Sequence, residues 1–179
     1  MMATRAGRYF CAGGATPICH RARITGNAMA AFHNAAILVA AGKSSRMGGG
    51  RNKVLFSLEN RPVITYSLEI LQQSENITAV VVVSREEDRD EIESICAQWC
   101  PKAVGRVVPG GAERFDSVRN GLETLADEPP YAAVIHDAAR PFLKERFITD
   151  ALQALQQVPG CVVGVPLKDT LKETGPEAR

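Results

Sequence analysis

Positions 40 to 53 read AAGKSSRMGGGRNK, a small-residue, glycine-rich and basic segment that follows directly on the apolar run AAILV. Small residues let backbone N–H groups approach a polyphosphate closely, and Arg46, Arg51 and Lys53 supply charge to neutralise it. The alternative is a solvated turn, but a turn has little need of three cations around three consecutive glycines. Two familiar phosphate motifs fail here. The GKS at 42 to 44 would need a glycine five residues before Gly42 to make a P-loop, and Ile37 stands there. The dinucleotide fingerprint GxGxxG is also absent after this run, which argues against a dehydrogenase.

A second segment, AAVIHDAARP, puts Asp137 at the end of another apolar run. In open α/β sheets the ligand crevice lies outside the carboxyl ends of the strands. A carboxylate there suits magnesium, which takes one or two carboxylates together with substrate phosphates. Arg140, three residues on, is a bidentate phosphate binder. Asp137 could instead cap the following helix, but Pro141 and Phe142 delay that helix to about Lys144. His136 fits a packed strand end as readily as a catalytic role.

Two more segments complete the set. In PGGAERFDSVRNGL, Gly110 and Gly111 permit close backbone approach to a base or ribose, and Ser117 offers a hydroxyl one turn into a helix starting near Glu113. In PLKDTLKE, residues Lys168, Thr170 and Lys172 alternate, so an extended strand would present all three on one side, either to a phosphate or to solvent.

The elements that must position these residues show in the hydrophobic pattern. The runs at 35–40, 79–84, 105–108, 132–136 and 161–165 are nearly continuously apolar, as strands buried on both faces are. Between them, 62–73, 86–99, 113–126 and 145–157 carry apolar residues three and four apart and predict helices, with Pro62 in a first helical turn. Strand and helix in alternation predict a Rossmann-like, mostly parallel α/β sheet with helices on both faces. The domain spans 35–166, and 167–179 reads as the start of an incomplete arm.

Bulk properties narrow the partners. Twenty-one basic and twenty acidic side chains leave a net charge of +1, which is not the footprint of a nucleic-acid binder. No apolar run approaches the roughly 20 residues of a bilayer span, so a soluble protein without a membrane partner is expected. Five cysteines with no CxxC pair fit a reducing compartment and no structural metal. Residues 1–34 contain Arg5, Arg8, Arg21 and Arg23 but no acidic residue and no serine. They read as an N-terminal extension, either unstructured or lying upstream of a true start at Met29, which gives a cytoplasmic protein. A plastid transit peptide is the alternative.

Taken together, AAGKSSRM with Lys53, GGAERFDSV, HDAARP and PLKDTLKE resemble the 2-C-methyl-D-erythritol 4-phosphate cytidylyltransferases of the non-mevalonate isoprenoid pathway, from about Ala35 to Glu173. The resemblance implies a fold of the nucleotide-diphospho-sugar transferase type. It implies transfer of CMP from CTP to methylerythritol phosphate with release of pyrophosphate, a Mg2+ requirement, and a homodimer. It places Arg46 and Lys53 as transition-state stabilisers, and Ala40, Ala41, Gly42, Gly111 and Ser117 around the cytidine nucleotide. Asp137 falls at metal and substrate, and Arg140 and Thr170 fall near the methylerythritol phosphate.

This sequence departs from the family pattern at Ala112, where many members have an acidic residue, and in GGGRN, which replaces a proline before Lys53. The family also continues past the DTLKE segment with an arginine, a lysine and the rest of a dimerisation arm, so the expectation is a C-terminally truncated member. Transfer to ribitol phosphate or another polyol phosphate, or an inactive fragment, are the alternative readings.

Overall fold

The apolar runs at 35–40, 79–84 and 132–136 become the buried middle of one sheet, covered on both sides, whereas 104–109 and 160–162, also expected as strands buried on both faces, form its partly exposed edges. The computed structural model describes residues 2–5, 33–42, 50–101, 104–164 and 166. In chain order the elements are β1 (Met2–Arg5), β2 (Asn34–Val39), β3 (Ser57–Leu58), β4 (Arg61–Pro62), α1 (Val63–Gln73), β5 (Ala79–Ser84), α2 (Arg89–Trp99), β6 (Val104–Pro109), α3 (Arg114–Glu123), β7 (Ala132–Asp137), α4 (Glu145–Ala154) and β8 (Gly160–Val162). Six strands form the main sheet in the order β6-β5-β2-β7-β1-β8. The first four run parallel, with Ile37 of β2 opposite both Val81 of β5 and Ile135 of β7. The strands and helices expected between 35 and 157 therefore all form, within a few residues at their ends.

Successive strand residues face opposite layers. Ala36, Leu38, Val80, Val82 and Val134 pack with Ile64, Leu68 and Leu71 of α1, Ile92 and Ile95 of α2, and Ile148 and Ala151 of α4. Ile37, Val81, Val83 and Ile135 face the other way, toward Val118 and Leu122 of α3. The spacing of Ile64, Leu68 and Leu71 by four and three is what makes one side of α1 apolar.

Gly121 lets α3 lie close to the sheet. A Cβ there would stand 2.8 Å from Ile37 Cγ2 and 3.0 Å from Val83 Cγ2. Gly121→Ala should thus destabilise the fold by about 1 kcal/mol, since overpacking (about 1–3 kcal/mol) outweighs the helix-propensity gain of about 0.5–1 kcal/mol. Urea denaturation reads this, and a stabilised variant would mean that α3 has room to move outward.

Four features lie beyond the sequence reading or depart from it. Residues Met2–Arg5 form a strand that runs antiparallel between β7 and β8. The chain between the glycine-rich loop and α1 makes a tight β3–β4 hairpin whose turn residues, Glu59 and Asn60, have positive φ of 52° and 64°. Pro62, expected inside the first turn of α1, instead closes β4 opposite Ser57 and precedes the helix. The segment expected as helix from Glu86 opens as a single tight turn over Glu86–Asp88, and α2 starts at Arg89.

Candidate active site

Strand β2 ends at Val39, but its path continues: the Ala40 N–H donates to the Val83 carbonyl at 2.7 Å. The loop that leaves there returns at Asn52, which is fully buried. Asn52 Nδ2 donates to the Ala40 carbonyl and to Asp88 Oδ2, each at 2.7 Å, and its Oδ1 accepts from the Val54 N–H at 3.3 Å. One side chain thus closes the loop and starts the short turn Lys53–Leu55. Val54 and Leu55 are buried beside it, which fixes where Lys53 stands.

Asp88 is itself gripped by Arg85, with Nε to Oδ2 at 2.6 Å and Nη2 to Oδ1 at 2.9 Å. Burial alone would raise the Asp88 carboxyl, but the bonds from Arg85 and Asn52 and the Arg85 charge outweigh it and hold it below the usual carboxylate value. Its stabilising effect is therefore complete above the ordinary carboxylate range and is lost as pH falls through the lower folded value. Asn52→Ala should cost about 2 kcal/mol, because it strips a donor from a buried carbonyl and from a buried carboxylate. Chemical denaturation at neutral pH measures the loss, and an unchanged midpoint would show that the loop is held by something else.

The second wall comes from the turn before α3. The Gly111 N–H donates to Ser117 Oγ at 3.1 Å, and the Ser117 hydroxyl donates to the Glu113 carbonyl at 3.2 Å. A Cβ on Gly110 would meet Ala41 Cβ at 2.4 Å, and one on Gly111 would meet Asp116 Cβ at 2.2 Å. The glycine pair is thus demanded by the protein's own packing of turn against loop.

The third wall is the carboxyl end of β7. Asp137 Oδ1 accepts from Arg114 Nε at 3.0 Å and Nη2 at 2.9 Å, while Oδ2 accepts from Arg140 Nε at 3.0 Å. Burial pushes the Asp137 carboxyl up, but the two guanidiniums, Arg114 first, outweigh it and leave it below the usual value. His136 is buried, with Nε2 placed 3.0 Å from the Arg140 carbonyl and 3.2 Å from Ser67 Oγ. Burial lowers its pKa, so it is a neutral packed ring beneath the turn that carries Arg140.

These walls enclose a cleft of about 680 Å³. Ala40, Ala41, Gly42, Lys53, Gly111, Ser117, Asp137 and Arg140 all line it. Arg46 and Thr170, with Lys168 and Lys172, lie outside the described residues. Arg51 does not line the cleft; it bonds Glu91 at 2.7 Å on the surface. The sequence reading missed Arg114 and Asn52 as site builders. Arg114 had a signal, a cation in the first turn after a glycine pair, whereas the partners of Asn52 are not legible from its neighbours.

Among the described residues no cluster of three His, Cys, Asp or Glu side chains could hold a metal unaided. Asp137 on the cleft wall suits a hard cation that shares its shell with ligand phosphates. Burial pushes the Cys96 thiol up to about 12 and the Cys100 thiol to about 11, so neither is a nucleophile at neutral pH. No described helix is long and apolar enough to cross a membrane.

The sequence model of the IspD family, 2-C-methyl-D-erythritol 4-phosphate cytidylyltransferase, matches residues 34–178. The chain belongs to this family. Two cytidylyltransferases of that name are similar to it: that of Alkaliphilus metalliredigens is 36% identical over 137 residues, covering 76% of this chain and 56% of the relative. That of Clostridium tetani is 37% identical over 139 residues, covering 78% and 56%. A crystal structure of a 4-diphosphocytidyl-2C-methyl-D-erythritol synthase superimposes with a TM-score of 0.64 at 26% identity, over 81% of this chain and 64% of that one. The fold is thus the Rossmann-like nucleotidyltransferase fold of this IspD family, and the chain spans a little over half the length of these relatives.

Proposed function

We propose that this chain carries the nucleotide site of an enzyme that transfers CMP from CTP to 2-C-methyl-D-erythritol 4-phosphate. The supporting observation is the convergence of loop 40–53, the turn at Gly110–Gly111 and the end of β7 on one cleft lined by small residues and cations. Names of the relatives support the substrate.

In this reading a phosphate oxygen of the acceptor attacks the α-phosphorus of CTP in line, a new P–O–P link forms, and the bond to the outgoing pyrophosphate breaks. Ala40, Ala41, Gly42, Gly111 and Ser117 line the bed for the cytidine nucleotide. Lys53, with Arg46, stabilises charge building on the phosphoryl oxygens. Arg140, with Thr170, receives the acceptor's phosphate. Asp137 would hold Mg2+ together with the triphosphate, and the ion, when bound, supplies further positive charge there. No covalent enzyme intermediate is needed. The reading extends to a cytoplasmic homodimer, for which the exposed Phe142 and Val162 offer apolar surface to bury.

Calorimetric titration tests the nucleotide assignment. With Mg2+ present, CTP should bind the chain at least about tenfold more tightly than ATP, a difference of about 1.4 kcal/mol. Equal affinities, or no binding of CTP, would overturn it.

A further inference from the structure

Both oxygens of Asp137 are already taken by cations of the protein. Arg114 brings two N–H groups to Oδ1, and Arg140 brings one to Oδ2. Both guanidiniums approach from the solvent side: the Arg114 and Arg140 side chains are 55% and 72% exposed, against 30% for Asp137. They sit on different elements. Arg140 belongs to the turn that follows Asp137 itself, but Arg114 is the first residue of α3 and reaches across the cleft from the glycine turn.

From this arrangement we infer that Arg114 is the resident counter-cation of Asp137, and that it competes with a divalent ion for the carboxylate until a polyphosphate draws its guanidinium away. In the empty cleft it keeps the carboxylate charged and aimed. When nucleotide enters, phosphate oxygens offer the guanidinium an equivalent bidentate partner, and Asp137 becomes available to the ion that the nucleotide brings. Metal binding and nucleotide binding are thereby coupled: either ligand alone must break the Arg114–Asp137 pair, while both together replace it on both sides. The absence, among the described residues, of any cluster of three His, Cys, Asp or Glu side chains fits such a dependence.

This inference rests on the placement of the divalent ion at Asp137, so the test separates the two. Binding of Mn2+ alone, without nucleotide, is followed by electron paramagnetic resonance on the intact chain, the Arg114→Gln, Arg114→Lys and Asp137→Asn variants, with thermal melts to confirm folding. Arg114→Gln should tighten Mn2+ binding about five- to tenfold, as expected for removing one partly screened competing charge. Arg114→Lys, which keeps the charge but loses the two-pronged contact, should fall between. The same Arg114→Gln chain should bind CTP more weakly in the absence of metal. Asp137→Asn should abolish the weak Mn2+ binding that the carboxylate supports. If Asp137→Asn abolishes it but Arg114→Gln leaves Mn2+ affinity unchanged or weaker, the competition is refuted and the ion site stands. If Asp137→Asn changes nothing, the ion site and the competition both fail.

Discussion

Replacing Lys53 by Ala should lower the turnover of cytidylyl transfer by about 10²- to 10³-fold, the usual consequence of losing one preorganised charge at a developing oxyanion. Preorganisation is the reason for so large an effect. Lys53 follows a fully buried Asn52 and precedes the buried Val54 and Leu55, so its backbone is held in place. Lys53 lines the cleft from this fixed base, so its ammonium should cost little reorganisation when charge appears. The Michaelis constant for CTP should move much less than turnover, because charge on the transferred phosphoryl oxygens is greatest in the transition state. Lys53→Arg should recover part of the rate. Steady-state pyrophosphate release gives both constants, and a loss carried wholly by the Michaelis constant would make Lys53 a nucleotide-binding residue instead.

Asp137→Asn should have the second largest effect, reducing Mg2+-supported transfer by about 10²-fold. The substitution keeps the size of the side chain and one acceptor oxygen for the arginines, so the fold should tolerate it. Its signature is a change of sign: CTP binding with Mg2+ weakens, whereas CTP binding without metal holds or tightens, since a negative charge has left a cleft lined by Lys53, Arg114 and Arg140. The carboxyl is held below its ordinary value by Arg114 and Arg140 despite burial. It is therefore charged throughout the neutral range, and Asp137 itself should contribute no pH dependence to metal-supported binding there. Calorimetry across that range, with and without Mg2+, decides it. A midpoint at about pH 6 that is present in the unmodified chain and absent from Asp137→Asn would contradict the lowered carboxyl, since the titration of the ligand's own phosphate is common to both.

Much of this was legible in the residues themselves. Continuous apolar runs such as AVVVVS at 79–84 and AAVIH at 132–136 could only be strands covered on both faces, and the helix spacing between them left one architecture. The cleft was legible for the same reason: once the sheet is parallel, Gly42 and Asp137 must share its carboxyl edge. What escaped was long-range or local in an unsignalled way. Residues Met2–Arg5 pair with β7 some 130 positions on, and nothing in MATR announces it. The β3–β4 turn places Glu59 and Asn60 at positive φ without the glycine that usually marks such a turn. Asn52 finds Asp88 thirty-six residues away, and Arg114 finds Asp137 twenty-three away, contacts set by tertiary packing alone. Gly110 and Gly111 were read as room for a ligand, and in the fold they also make room for Ala41 and Asp116, which the sequence did not signal.

Pyrophosphate release from CTP, Mg2+ and methylerythritol phosphate is the most direct measurement of what the cleft does. It should be run on the 179-residue chain and on a version joined to the remaining C-terminal length of the Alkaliphilus metalliredigens relative, each beside its Lys53→Ala form. Release that requires methylerythritol phosphate, in at least the longer version, and that Lys53→Ala removes is the expected result. Silence in both versions, or release indifferent to Lys53, would contradict cytidylyl transfer at this site.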